Sequence, residues 1–193
     1  MKYVATILLQ ENFNTCNCLK ANPLRQDLLG ISRRRGGTPA MGSIFYTFIP
    51  KGKEMIKGPI IIIDDDHDDQ EIYGEAIKEI GLANEIHFFD RAPKFLEYIQ
   101  TTEEQPFIIL SDINMPEMTG LELKKKIDED PYLKTKGIPF VFISTNASST
   151  SVRHAHALSV QGYFEKPHDM EGIKVMLRTL FAYWGLCKHI NNT

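Results

Sequence analysis

The alternation of apolar runs and amphipathic stretches after residue 58 predicts an α/β fold, a doubly wound five-stranded parallel sheet flanked by five helices. Three observations lead there. Ile60-Ile61-Ile62-Ile63 is an unbroken β-branched run without polar alternation, as in a parallel strand buried on both faces. It ends in Asp64-Asp65-Asp66, so carboxylates fall at a strand's carboxyl end, where open α/β sheets form their ligand crevices. Strand-like and helix-like stretches then succeed one another regularly, and right-handed crossovers place the helices on both faces.

Strands are predicted at Ile60–Ile63, Glu85–Phe89, Phe107–Ser111, Pro139–Ser144 and Gly162–Glu165. The first helix, Asp69–Ile80, gathers Ile72, Ala76, Ile77 and Ile80 on one face and turns Glu71, Glu75, Lys78 and Glu79 outward. Gly81 supplies its stop. Ala92–Gln100 repeats the pattern with Phe95, Leu96 and Ile99. Thr119-Gly-Leu-Glu122 has capping-box spacing for a third helix that uses Leu121, Leu123 and Ile127 and stops before Pro131. Ser148 or Ser149 caps the fourth, and Asp169 caps a fifth that runs through Ile173, Met176, Leu177, Leu180 and Phe181.

The first 57 residues are a different object. They carry nine Lys/Arg against three Asp/Glu, a net of +6, whereas residues 58–193 carry thirteen against twenty-two, a net of −9. With Asn-Pro, Arg33-Arg34-Arg35-Gly-Gly and Pro-Lys-Gly-Lys and no sustained period, residues 1–57 read as a flexible, solvated extension of no assigned function, with a stray strand at Ile44–Ile49. Met55 offers an alternative start, immediately before the folded pattern. Hydrophobic content of 42% and charged content of 24% fit a soluble globular chain, and no apolar stretch reaches membrane-span length. Cys16, Cys18 and Cys187 have neither CxxC nor zinc spacing and read as free thiols, so the expected location is the cytoplasm.

Further polar residues share the acidic block's position at strand ends. Asp112 follows Phe107–Ser111, Ser144 and Thr145 close the next strand, and Lys166 follows Gly162–Glu165. In a parallel sheet these ends converge on one edge. Each type has a task if the substrate is a phosphoryl group. Asp112 is a nucleophile, and Asp64 and Asp65, with an oxygen of Asp112, hold Mg2+. Lys166 offers a positive charge to the phosphoryl oxygens, and the hydroxyl of Ser144 or Thr145 donates to another.

The strings Ile-Ile-Asp64-Asp65-Asp66, Ser-Asp112-Ile-Asn-Met-Pro116-Glu-Met-Thr-Gly120, Phe-Ile-Ser144-Thr145 and Tyr163-Phe-Glu-Lys166-Pro167 closely resemble the receiver domain of bacterial two-component response regulators, over about Pro59 to Leu186. The resemblance implies a flavodoxin-like sheet in the order 2-1-3-4-5, a receiver domain at 58–188 and a tail at 189–193. It implies that Asp112 accepts phosphate from a sensor histidine kinase or histidine phosphotransfer protein. Asn114 would lend its backbone carbonyl to Mg2+, and Ser144, by its spacing back from Lys166, would be the switch hydroxyl, with Thr145 second. Tyr163 would be the aromatic that follows the switch, and Asn114 and Asn146 the positions that tune phosphoryl lifetime. The Lys166–Pro167 bond would be cis. Too few residues follow the fifth helix for an output domain, so the expectation is a stand-alone receiver. It would signal to a protein target, or to a second copy, through the face of the fourth helix, fifth strand and fifth helix. No direct nucleic-acid or membrane contact is expected, and no enzymatic activity beyond its own phosphorylation and dephosphorylation.

Two alternatives stand beside this reading. Asp64-x-Asp66 after an apolar strand imitates a haloacid-dehalogenase-type phosphatase, although Asp68 replaces the Thr or Val expected there and no cap insertion is evident. A receiver-like module that docks without phosphorylation is the other. His154 and His156 lie two apart on a helix and face different directions, His67 reads as a loop residue, and Phe181, Tyr183 and Trp184 read as packing residues. No Walker loop or GxGxxG occurs.

Overall fold

The computed structural model describes residues 57–145, 147–188 and 190. The readings made above for residues 1–56, with Arg33–Arg35, Ile44–Ile49, Cys16 and Cys18, lie outside the described residues, as does Asn146. Five strands, β1 (Ile60–Ile63), β2 (Ile86–Phe89), β3 (Ile108–Ser111), β4 (Phe140–Ser144) and β5 (Gly162–Glu165), pair in parallel in the order β2-β1-β3-β4-β5. Among the described residues six helices connect and follow them: α1 (His67–Glu79), α2 (Ala92–Thr101), α3 (Gly120–Glu129), α4 (Pro131–Thr135), α5 (Ser149–Ala157) and α6 (Met170–Leu186).

Two-sided burial accounts for the unbroken apolar strands. Ile60 and Ile62 join one core with Ile108, Leu110, Val141, Ile143 and the inner faces of α1 and α6. Ile61 and Ile63 point the other way, into a second core with Phe95, Ile109, Leu123, Phe140, Phe142 and Ala155. Successive strand residues alternate faces, so a sheet covered on both sides needs an apolar residue at every position. Burying one such isoleucine stabilises the fold by roughly 2–3 kcal/mol. Trp184 packs against the first core from α6.

The helix starts follow from their caps. Asp66 accepts the Asp68 N–H at 2.9 Å, which starts α1 two residues earlier than the periodicity indicates. Thr119 and Glu122 close the capping box of α3, Ser148 caps α5 and Asp169 caps α6. The sixth helix departs from the expected five. Asp130 accepts the N–H groups of Tyr132 and Leu133, Pro131 occupies the first helical turn, and Leu133 is buried, which is enough to wind one short turn before β4. No described peptide bond is cis, so Lys166–Pro167 is trans, contrary to the expectation. Trans is the ordinary preference of an X–Pro bond by about 0.5–1 kcal/mol.

Gly120 fits α3 against the end of β3. A Cβ there would lie 2.3 Å from the Asp112 carbonyl oxygen and 2.9 Å from Phe142 Cε1. Gly120→Ala is therefore expected to destabilise the protein by about 2–3 kcal/mol, because backbone and a core ring must both move. An unchanged urea midpoint would contradict this packing.

Candidate functional site

Three site residues stand one step beyond a strand, and their own amides continue the sheet. Asp64 N–H donates to Phe89 O at 3.1 Å, Asp112 N–H to Ile63 O at 2.8 Å, and Lys166 N–H to Ser144 O at 3.0 Å. The ladder thus carries β1, β3 and β5 to the same edge with their next side chains fixed. Gln70 reinforces that edge, donating from Nε2 to the carbonyls of Asp64 at 2.6 Å and Phe89 at 3.3 Å.

Carboxylate oxygens of Asp64, Asp65 and Asp112 all lie within 4.8 Å of one another. Asp64 is buried, Asp112 half-buried and Asp65 exposed. Asp64 Oδ1 accepts the Asp66 N–H at 3.0 Å, and its Oδ2 meets Lys166 Nζ at 3.0 Å. Asp112 Oδ1 is buried and has no hydrogen-bond partner among the described residues. A buried carboxylate oxygen without a partner is costly, and so is the closeness of three carboxylates. Hard oxygen donors in this number suit a small divalent cation that keeps several waters, so the residues fit Mg2+.

The Lys166 ammonium is shared between Asp64 Oδ2 and Asp69 Oδ2, the latter at 2.5 Å, and makes no ion pair with Asp112. Burial works against the ammonium, but the hydrogen bond to Asp69 and the attraction of Asp64 outweigh it and hold the Lys166 pKa above the usual lysine value. Asp64 is the strained partner. Its burial pushes the carboxyl upward, and the charge of Asp112 adds to the push, against the opposing pull of the Asp66 N–H and of Lys166.

Ser144 is fully buried, whereas Thr145 is exposed. The Ser144 hydroxyl accepts from Asn114 Nδ2 at 3.5 Å and is hydrogen-bonded to Tyr163. Ser144 therefore connects the loop after Asp112 to the β5 aromatic, and Thr145 does not. Asp66 is committed to capping α1 and stands outside the carboxylate group, which leaves the phosphatase alternative without its second acid. His67 opens α1, and it, His154 and His156 are all exposed and outside any candidate ligand group among the described residues. A second such group, Glu85, His87 and Glu104, lies at the edge strand, where the Tyr98 hydroxyl already bridges His87 and Glu104.

Asp69, Gln70 and Tyr73 line the site from α1 and carry no motif signal individually. The readable trace is a spacing: Asp69 and Tyr73 are four apart and share a helix face.

A parallel sheet in this order, with carboxylates gathered at its carboxyl edge, defines a doubly wound α/β protein with an acidic crevice. Residues 60–178 match the response regulator receiver domain, and the chain belongs to that family. It is 27% identical over 138 residues to the DNA-binding transcriptional regulator NtrC of Proteus hauseri, covering 72% of this chain but 28% of NtrC. It is 24% identical over 130 residues to the response regulator Rcp1 of Synechocystis sp., covering 65% of this chain and 87% of Rcp1. Among solved structures, the phosphorylated cyanobacterial phytochrome response regulator RcpA superposes with a TM-score of 0.61 at 23% identity, over 67% of this chain and 94% of its own. The Mn2+-bound form of Rcp1 gives 0.58 at 23% identity, over 66% and 94%. At these identities the structural likeness is one of fold.

Two outcomes follow from the crowded carboxylates. Asp112→Asn is expected to stabilise the metal-free protein by about 1 kcal/mol in urea unfolding, since a neutral amide can donate to its neighbours; destabilisation would contradict the repulsion. A carboxyl whose pKa folding raises favours the fold below its unfolded value of about 3.9 and loses that contribution as pH rises through the folded value. Relative to Asp64→Asn, the wild type should therefore be more stable at about pH 4 than at about pH 7 without metal. A gap that is constant or widens with pH would count against the buried Asp64.

Proposed function

We propose that this receiver is a phosphoacceptor in a two-component phosphorelay. A carboxylate oxygen of Asp112 attacks the phosphorus of a phosphohistidine on a sensor histidine kinase or histidine phosphotransfer protein. The new O–P bond forms as the P–N bond breaks, and the leaving imidazole keeps the electron pair and takes up a proton. The closeness of the Asp64, Asp65 and Asp112 carboxylates, with Asp112 Oδ1 buried and without a partner among the described residues, carries this reading. Asp64, Asp65, Asp112 and the backbone carbonyl of Asn114 would hold Mg2+, whose charge would screen the incoming anion. Lys166 turns its ammonium to a phosphoryl oxygen, and Ser144 donates its hydroxyl to another.

Ser144 also reaches Tyr163, so its movement toward Asp112 is felt on β5. That movement shifts an existing equilibrium at the face of α5, β5 and α6. Val175, Tyr183 and Leu186 leave apolar surface exposed on α6, which suits a downstream protein target or a second receiver. The working unit is residues 58–188 of a cytoplasmic protein, with 1–57 an extension and 189–193 a tail. Its chemistry is confined to gaining and losing its own phosphoryl group, without turnover of a substrate. The complete carboxylate set and Lys166 speak against a module that only docks.

Incubation of the chain with Mg2+ and acetyl phosphate should add the mass of one phosphoryl group, lost on hydroxylamine treatment and absent in Asp112→Asn. No added mass, or labelling that persists in Asp112→Asn, would remove the proposal. Steady hydrolysis of phosphate esters that depends on Asp64 but not on Asp112 would point to the phosphatase instead.

A further inference from the structure

Lys166 has two carboxylate partners, and only one of them belongs to the acidic cluster. Asp64 Oδ2 lies 3.0 Å from its Nζ, while Asp69 Oδ2, on α1 and outside the cluster, lies at 2.5 Å. One turn further along α1, the Tyr73 ring centroid is 5.9 Å from the same ammonium, within cation–π range. Asp69 and Tyr73 are four residues apart, so one helix face offers a carboxylate and an aromatic surface together. Tyr73 is buried and its hydroxyl has no hydrogen-bond partner among the described residues, so packing places the ring. Lys166 itself is 10% exposed, which leaves the ammonium little access to competing water.

We propose that Asp69 is a positioning residue that parks the Lys166 ammonium on α1, over the Tyr73 ring, and so restrains it from the phosphoryl group at Asp112. The inference rests on the phosphoacceptor reading above. To grip a phosphoryl oxygen, Lys166 gives up a charge-assisted hydrogen bond to Asp69, among the stronger contacts a side chain makes. The fraction of molecules with Lys166 released then scales the apparent reactivity of Asp112. Without the Asp69 charge, Lys166 falls back on Asp64, a member of the group that contains Asp112.

The full-length chain with Mg2+ and acetyl phosphate tests this in four proteins: wild type, Asp69→Asn, Lys166→Ala and the double variant. Asp69→Asn is expected to be phosphorylated about tenfold faster than wild type, and the acceleration is expected to vanish when Lys166 is already alanine. Equal rates for wild type and Asp69→Asn, or the same acceleration without Lys166, overturn the proposal. Urea unfolding of the four proteins reads the pair without any phosphorylation. Non-additive midpoints support the Asp69–Lys166 contact, and additive ones overturn it. A wild type that takes up no phosphoryl group, yet shows non-additive unfolding, overturns both the phosphoacceptor reading and the restraint, and reduces the contact to a structural ion pair.

Discussion

Three carboxylates share one crevice, and the rest of the site is organised around their repulsion. Asp64, Asp65 and Asp112 bring oxygens within 4.8 Å of one another, and Asp112 Oδ1 is buried without a hydrogen bond among the described residues. Among the described residues only Lys166 supplies an opposing charge in direct contact with Asp64, and it divides that charge with Asp69. Burial makes the arrangement more demanding, since a low-dielectric surround strengthens repulsion as much as attraction. The crevice is therefore crowded with negative charge, and burial together with the charge of Asp112 pushes the Asp64 carboxyl upward.

The sheet imposes this crowding. Asp64, Asp112 and Lys166 each extend a strand by one residue and bond through their amides to a neighbouring strand. Moving any of them outward would break a ladder hydrogen bond, and a one-residue slip would exchange the two isoleucine faces between cores. Gly120 tightens the constraint by letting α3 approach the Asp112 carbonyl closer than any Cβ permits. Two-sided burial of β1, β3 and β4 thus does more than stabilise the domain, because it fixes the acidic edge that a ligand meets.

Much of this was legible from residue order. Four successive β-branched isoleucines suit a strand covered on both faces, and β1 occupies Ile60–Ile63 with all four buried. The Thr119–Glu122 spacing marked the start of α3, since a capping box joins side chain and backbone over a fixed interval. What escaped notice depends on contacts distant in sequence. Asp69 and Lys166 are 97 residues apart, and neither residue type announces the pairing. The short α4 was also missed, because Pro131 reads as the end of one helix as readily as the first turn of another. Spacing back from Lys166 already ranked Ser144 before Thr145; that Ser144 is buried and Thr145 exposed is a contrast local sequence does not encode.

Calorimetric titration of the full-length chain with Mg2+, set beside Asp65→Asn, probes the shared carboxylate crevice most directly. Asp65 is exposed, so its replacement removes a carboxylate from the crevice with little effect on the core. The account requires saturable binding of one Mg2+ per chain, weakened at least about tenfold by Asp65→Asn, in keeping with the usual cost of perturbing a metal site. Absence of saturable binding, or equal affinity in the two proteins, would contradict it.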